Sequence, residues 1–154
     1  MKFLELDKLK ILEYQQNRDP YLMIDHAKKV VPGVSAEGFK LMTEKEWFFK
    51  VHWPGDPNMP GMLQTEALIQ MSALIVQTMP GNKGKILYLV DANNLKFIKK
   101  ILPGDRLDIF SKLISWKRGL IKFEAEGFVN EKKTCRASFT LVIPGSIKLN
   151  IDSN

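Results

Sequence analysis

The sequence is poor in residues that could tie the chain together covalently or through a metal ion. Its 154 residues include one cysteine, Cys135, and two histidines, His26 and His52. A lone cysteine cannot form a disulfide within the chain, and these three side chains match no common spacing of zinc ligands. We therefore expect a protein of a reducing compartment, with no metal and no redox cofactor, in which Cys135 is a small buried residue of a strand.

Long hydrophobic runs are also scarce. The N-terminal residues contain no apolar segment typical of a signal peptide, so the expected location is cytoplasmic. One apolar run, residues 61–80, is long enough to raise the possibility of a membrane helix. Strand-like sequence on both sides, no bias of flanking lysine and arginine, and polar residues within the run argue against membrane insertion and favour a buried core helix; those residues are Gln64, Glu66, Gln70 and Gln77.

Basic residues outnumber acidic ones, 23 to 17, giving a formal net charge of +6. The basic residues are dispersed along the chain and do not form one long run. A nucleic-acid binder can have such a charge, as can an enzyme with an acidic partner. No nucleic-acid motif is present, so we expect no nucleic-acid partner.

The order of predicted elements indicates an α+β fold. A short amphipathic helix at about 6–14 precedes two strands and the long helix at about 61–79. Further strand-like runs follow the helix. The predicted strands are 21–31 and 35–42 before it, and 85–90, 95–101, 106–115, 120–129 and 134–143 after it. Because the long helix is apolar nearly all round, it must be covered on most sides. We predict one domain, 1–154, with an antiparallel sheet wrapped around one central helix and a C-terminal tail at 144–154.

Glu66 is the one charged residue of the long apolar helix, and no cation lies three or four positions away. A buried ionised carboxylate costs several kcal/mol, so such a group either raises its pKa or faces a special cavity. A raised pKa suits a general acid near neutral pH. The alternative is a side chain that reaches solvent or interacts with the helix dipole.

His52 lies in the Pro- and Gly-rich loop that leads into the same helix. A lone histidine is often structural. Here, however, a histidine and an unpaired glutamate accompany a helix that begins at Gly61, where free backbone N–H groups can bind an oxyanion. Together these groups could remove a proton next to a carbonyl and expel a hydroxyl.

A long motif at 49–70, FKVHWPGDPNMPGMLQTEALIQ, resembles that of the β-hydroxyacyl-[acyl carrier protein] dehydratases of type II fatty acid synthesis. That family's pattern is approximately F-x-G-H-F-P-G-x-P-x-x-P-G-V-L-x-x-E-A-x-A-Q. Further likeness at 18–25, 91–105 and 117–119 extends the resemblance over about residues 14–143.

The resemblance implies a hotdog fold and a homodimer, often a trimer of dimers, in which one site takes its histidine and glutamate from different subunits. It also implies a fatty-acid or related lipid pathway and an acyl carrier protein thioester as substrate. We expect His52 to take the proton, Glu66 to protonate the departing 3-hydroxyl, and the Gly61 N–H to hold the thioester oxygen. Lys96, Lys99 and Lys100 are the expected docking residues for the acidic carrier; a solvated strand edge is the alternative.

Three positions depart from the family pattern. Val51 replaces a glycine, Trp53 replaces a phenylalanine, and Asn17 stands where the family has a histidine. None removes a catalytic group, but Val51 and Trp53 add bulk beside the site and are expected to alter the shape of the acyl pocket. Two other functions remain open from the sequence, a hotdog thioesterase and a non-catalytic module that binds acyl chains or carrier protein.

Overall fold

The computed structural model describes residues 2–146. Within them lie seven strands and three helices. The strands are β1 Leu4–Leu6, β2 His26–Val31, β3 Ser35–Leu41, β4 Tyr88–Phe97, β5 Arg106–Lys117, β6 Leu120–Val129 and β7 Lys132–Val142. The helices are α1 Lys8–Tyr14, α2 Trp47–Val51 and α3 Gly61–Gln77.

All seven strands form one antiparallel sheet in the order β1-β2-β3-β5-β6-β7-β4. In β6 the side chains of Ile121, Phe123 and Ala125 are buried, and the lysine and glutamate residues between them are not. This alternation gives the sheet one apolar face. The strand β4 lies at one edge, and most of its side chains are exposed.

Helix α3 packs against the apolar face of the sheet, chiefly on β3 and β5. Every residue of the helix from Gln70 to Gln77 is buried. Because no side of this segment can face water, the sheet has to curve around it. The predicted α+β architecture, with an antiparallel sheet around one central helix, is confirmed.

The element boundaries differ from the predictions in several places. The first helix begins at Lys8 and not at residue 6, because the Asp7 side chain accepts a hydrogen bond of 2.9 Å from the Lys10 N–H and caps it. The preceding residues form β1, which was not predicted. The central helix ends at Gln77 and not at 79, and the strand predicted at 21–31 begins only at His26.

The prediction of two strands at 85–90 and 95–101 is wrong, because this region holds a single strand, β4. The break in its apolar pattern is an irregularity in the pairing with β7 between Asn93 and Lys96, where Asn94 has a φ of 53°. Of the predicted C-terminal tail, 147–154 lies outside the described residues.

In the part of the chain that the structure describes, none of the helices has both the length and the apolarity needed to cross a membrane.

Gly38, on β3, is packed between the backbone of β2 and Met71 of the central helix. A Cβ there would collide with the His26 carbonyl oxygen and lie within 2.8 Å of both the Ala27 Cα and the Met71 Cε. We expect Gly38→Ala to lower the free energy of unfolding by about 3 kcal/mol. Chemical denaturation measures the effect. Gly55→Ala is the control, since a Cβ at Gly55 meets nothing within 4 Å; equal stability of the two variants would contradict this packing.

Candidate active site

His52 is positioned by the short helix α2. Phe48 and Phe49 of this helix are buried in the core and pack edge to face, 4.8 Å apart. His52 follows as the C-cap residue, and its backbone N–H donates to the Phe48 carbonyl at 2.8 Å. The aromatic pair therefore fixes the backbone from which the imidazole projects.

The imidazole ring of His52 is held by one polar contact and one stacking contact. Its Nδ1 lies 3.0 Å from the Asn58 carbonyl oxygen. Because a carbonyl oxygen can only accept, Nδ1 carries the hydrogen, and in the neutral ring Nε2 keeps its lone pair. Trp53 stacks on the ring with centroids 4.3 Å apart and planes 20° apart. The geometry presents Nε2 as a base.

Glu66 is half-buried on α3. Burial raises the pKa of its carboxyl group above the ordinary value, while a hydrogen bond from Gln70 acts in the opposite direction. The Gln70 Nε2 donates to the Glu66 Oε1 at 2.9 Å. The carboxyl therefore keeps its proton to a higher pH than an exposed glutamate, as a proton donor requires.

Gln70 is a positioning residue whose contacts the sequence did not reveal. Its Nε2 also donates to the Tyr21 carbonyl at 2.9 Å, and its Oε1 accepts from the Met23 N–H at 2.7 Å. The side-chain amide is thus fixed to the segment before β2 and then presented to Glu66. Its place in the 49–70 motif was the only available signal.

Gly61 begins α3 directly after Pro60, which provides no side-chain cap. The Pro60 carbonyl accepts from the N–H groups of Leu63 and Gln64. The Gly61 N–H donates no backbone hydrogen bond within residues 2–146, so it is available to a ligand. The Phe97 ring lies against Gly61, where a Cβ would be 3.1 Å from its Cζ, so a side chain there would require the ring to shift.

Glu66 lines a groove of about 270 Å³ between α3 and the segment 85–89. His52 is not among the residues that line this groove in the described part of the chain, and the two side chains share no polar partner. Among residues 2–146, no hydrogen bond joins the two predicted catalytic side chains.

The other predicted residues lie at the surface near these groups. Val51 and Trp53 are 68% and 56% exposed. Lys96 and Lys99 are exposed, but the Lys100 Nζ pairs with Asp56 at 2.8 Å.

Cys135 is buried, as expected, and burial raises the pKa of its thiol to about 11, which leaves it a poor nucleophile. Among residues 2–146, His, Cys, Asp and Glu side chains form no cluster of three that could hold a metal ion.

The sequence comparison gives consistent findings. Residues 16–138 match the model of the FabA-like domain family. The chain is 36% identical to 3-hydroxyacyl-[acyl-carrier-protein] dehydratase FabZ of Alkaliphilus metalliredigens, over 91% of this chain and 95% of that protein. It is 34% identical to the FabZ dehydratase of Pediococcus pentosaceus, over 93% and 96% of the two chains.

Solved structures show the same fold. The dehydratase heterocomplex ApeI:P of Xenorhabdus doucetiae superposes with a TM-score of 0.75 at 13% identity, covering 87% of this chain and 90% of that chain. A hypothetical thioesterase of Streptococcus pneumoniae with coenzyme A gives 0.61 at 15% identity, covering 79% and 87%. At these identities the likeness concerns the fold alone, which dehydratases and thioesterases share.

The contact between Gln70 and Glu66 predicts a change in acidity. Gln70→Leu removes the hydrogen bond that favours the carboxylate, so we expect the pKa of Glu66 to rise further. Carbon-detected NMR titration of the carboxyl group measures it. The variant also loses its bonds to Tyr21 and Met23, at a cost of about 1–3 kcal/mol in unfolding free energy. Gln64→Leu is the control and should leave the Glu66 titration unchanged; a lower Glu66 pKa in Gln70→Leu would contradict the assigned contact.

Proposed function

The chain belongs to the FabA-like family of dehydratases, and we propose that it removes water from 3-hydroxyacyl thioesters through His52, Glu66 and Gly61. The product is a trans-2-enoyl thioester of fatty acid or related lipid biosynthesis. The observation that carries this assignment is the half-buried carboxyl of Glu66, the only charged group on α3, whose pKa burial raises.

The reaction needs one base, one acid and one oxyanion donor. His52 Nε2 takes the proton from the carbon next to the thioester, and the electron pair moves onto the thioester oxygen. The Gly61 N–H donates to that oxygen as its negative charge grows. The electron pair then returns to form the carbon–carbon double bond, the bond to the 3-hydroxyl breaks, and Glu66 transfers its proton to form water. Proton exchange with solvent returns His52 and Glu66 to their starting states.

We propose that each site combines His52 of one subunit with Glu66 of another. The lack of a hydrogen bond or shared groove between the two side chains in the described residues supports this arrangement. The edge strand β4 supports it as well, since Tyr88, Leu89 and Val90 are each at least half exposed. An edge strand with apolar side chains invites pairing with a second strand. A homodimer that covers β4 would satisfy both observations.

We propose acyl carrier protein as the source of the thioester, because FabZ relatives are named for substrates on that carrier. Lys96 lies directly opposite Arg136 in the register of β4 and β7, and both side chains are exposed. Lys99 follows just after the end of the same strand and is also exposed, and Phe97 of this strand packs on Gly61. An acidic carrier bound there would lie next to the oxyanion donor. Lys100 contributes less, since its charge is paired with Asp56.

The shared site predicts complementation between two inactive variants. We expect His52→Ala and Glu66→Gln each to abolish hydration of a crotonyl thioester. Hydration is measured as the loss of enoyl absorbance. Unfolded together and refolded at equal amounts, the two variants should recover about a quarter of wild-type activity, because half of the dimers are mixed and each mixed dimer has one intact site of two.

Refolded single variants and a mixture without refolding are the controls for this experiment. Recovery only in the refolded mixture supports a site between subunits. No recovery, with mixed dimers present by mass spectrometry, would place both residues of one site in the same chain. Full activity of Glu66→Gln alone would remove the catalytic assignment.

The exposed basic residues Lys96, Lys99 and Arg136 predict charge-dependent binding of carrier protein. We expect Lys99→Glu to raise KM for an acyl carrier protein thioester about threefold at low salt, with little change for the coenzyme A thioester. Lys117→Glu is the matched control, since Lys117 ends β5 opposite Leu120, at the other end of β6 from Glu126, which pairs with Arg136. Equal KM values for both variants, or no effect of salt, would leave these lysines as a solvated edge.

A further inference from the structure

The groove at Glu66 continues along α3 and changes character with distance. Its helix wall begins with Glu66 and Gln70, passes the apolar Ile69 and Ala73, and ends with Gln77. Lys85 and Gln16 lie at this far end, where Gln77 bonds the Lys85 carbonyl and Gln16 the neighbouring Gly84 carbonyl. Glu66 and Gln77 are eleven residues apart on one helix, or about 16 Å at the helical rise. A long acyl chain with its 3-hydroxyl at Glu66 can therefore follow apolar walls until its end meets polar groups.

Gln77 is the informative residue at this far end. It is only 4% exposed, and its Nε2 donates to the Lys85 carbonyl at 3.0 Å. Because that carbonyl can only accept, the contact fixes which atom of the amide is the nitrogen. The Oε1 is buried and has no hydrogen-bond partner among residues 2–146. A buried acceptor without a donor is costly, so this position suits a ligand that supplies one.

The surrounding residues complete a small polar site. Gln16 is held in place by a hydrogen bond of 3.1 Å from its Nε2 to the Gly84 carbonyl. Asn17 is half-buried beside it, and it is the position where the sequence departs from the family's histidine. Lys85 lines the same groove and is exposed. The groove thus has one buried acceptor without a donor among polar lining residues, which matches a hydroxyl group better than a methyl group.

We propose that the enzyme accepts 3-hydroxyacyl chains with a hydroxyl at or near the far end, which donates to the Gln77 Oε1. This inference rests on the proposed function, because it assumes that the substrate's reacting end lies at Glu66. It assigns Gln77 as a specificity residue that never touches the reacting atoms. A terminal methyl in the same place would leave Oε1 unpaired.

The experiment compares matched pairs of trans-2-enoyl thioesters, with and without a terminal hydroxyl, in a series from octenoyl to hexadecenoyl. The readout is the ratio of kcat/KM for the two members of each pair. In the wild type we expect the hydroxyl to be preferred about three- to tenfold, the value of one hydrogen bond, at the chain length that reaches Gln77. At the shortest lengths the ratio should be close to one.

Gln77→Met removes the acceptor while keeping a side chain of similar length, and we expect the preference to disappear. Gln64→Met is the matched control. Gln64 is also 4% exposed on α3, donates to the Met59 carbonyl and has an unpartnered Oε1, but it does not line the groove. Its variant should keep the wild-type ratio. Since each ratio is taken within one protein, loss of folded enzyme cancels.

The outcomes separate this inference from the proposed function. Turnover of plain chains with no hydroxyl preference at any length, or a preference that survives in Gln77→Met, would overturn the role of Gln77 and leave the dehydratase intact. Absence of turnover with every thioester would contradict the proposed function. In that case the ratio of dissociation constants for the same pairs, from calorimetry, tests the Gln77 site on its own.

Discussion

The structure depends on the burial of a helix that is apolar on nearly every side. Since α3 cannot turn any long face to water, the antiparallel sheet has to curve around it, and the connecting segments have to close the remaining gaps. This same burial sets the chemistry. A carboxyl group on such a helix loses most of its hydration, and burial accordingly raises the pKa of Glu66. Packing and acid strength therefore have one cause.

The reactive groups are held mainly by the backbone. The Asn58 carbonyl sets the tautomer of His52, and the Tyr21 carbonyl and Met23 N–H orient Gln70, which in turn contacts Glu66. These backbone segments are anchored by core residues, Met23 and Phe48 among them. Substitutions that loosen the core near these points should disturb the site even where they touch neither His52 nor Glu66.

Much of the fold could be predicted, because hydrophobic periodicity is a direct consequence of which face is buried. The apolar run identified α3, and the partly alternating pattern at 120–129 identified β6. The features that the sequence did not reveal rest on interactions between main-chain atoms. The short strand β1 exists because it pairs with β2, and β4 continues through Asn94 because its irregularity is tolerated opposite β7. Pairing partners of this kind leave little trace in a local pattern.

The same distinction applies to the site. Glu66 could be recognised because an unpaired charge in an apolar helix is conspicuous, and His52 because of its motif. The contacts of His52 and Gln70 with main-chain carbonyls could not be predicted from the sequence, since every residue carries a carbonyl.

The three buried glutamines of α3 illustrate the consequence. Each of them donates a hydrogen bond to a main-chain carbonyl, which holds the helix in place at three points along its length; they are Gln64, Gln70 and Gln77. Of these three, Gln70 alone has its oxygen paired within residues 2–146, to Met23, and it is the one that contacts Glu66. A rigid amide thus has both ends bonded, whereas the unpartnered Gln77 oxygen beside the groove is the acceptor on which the proposed specificity rests.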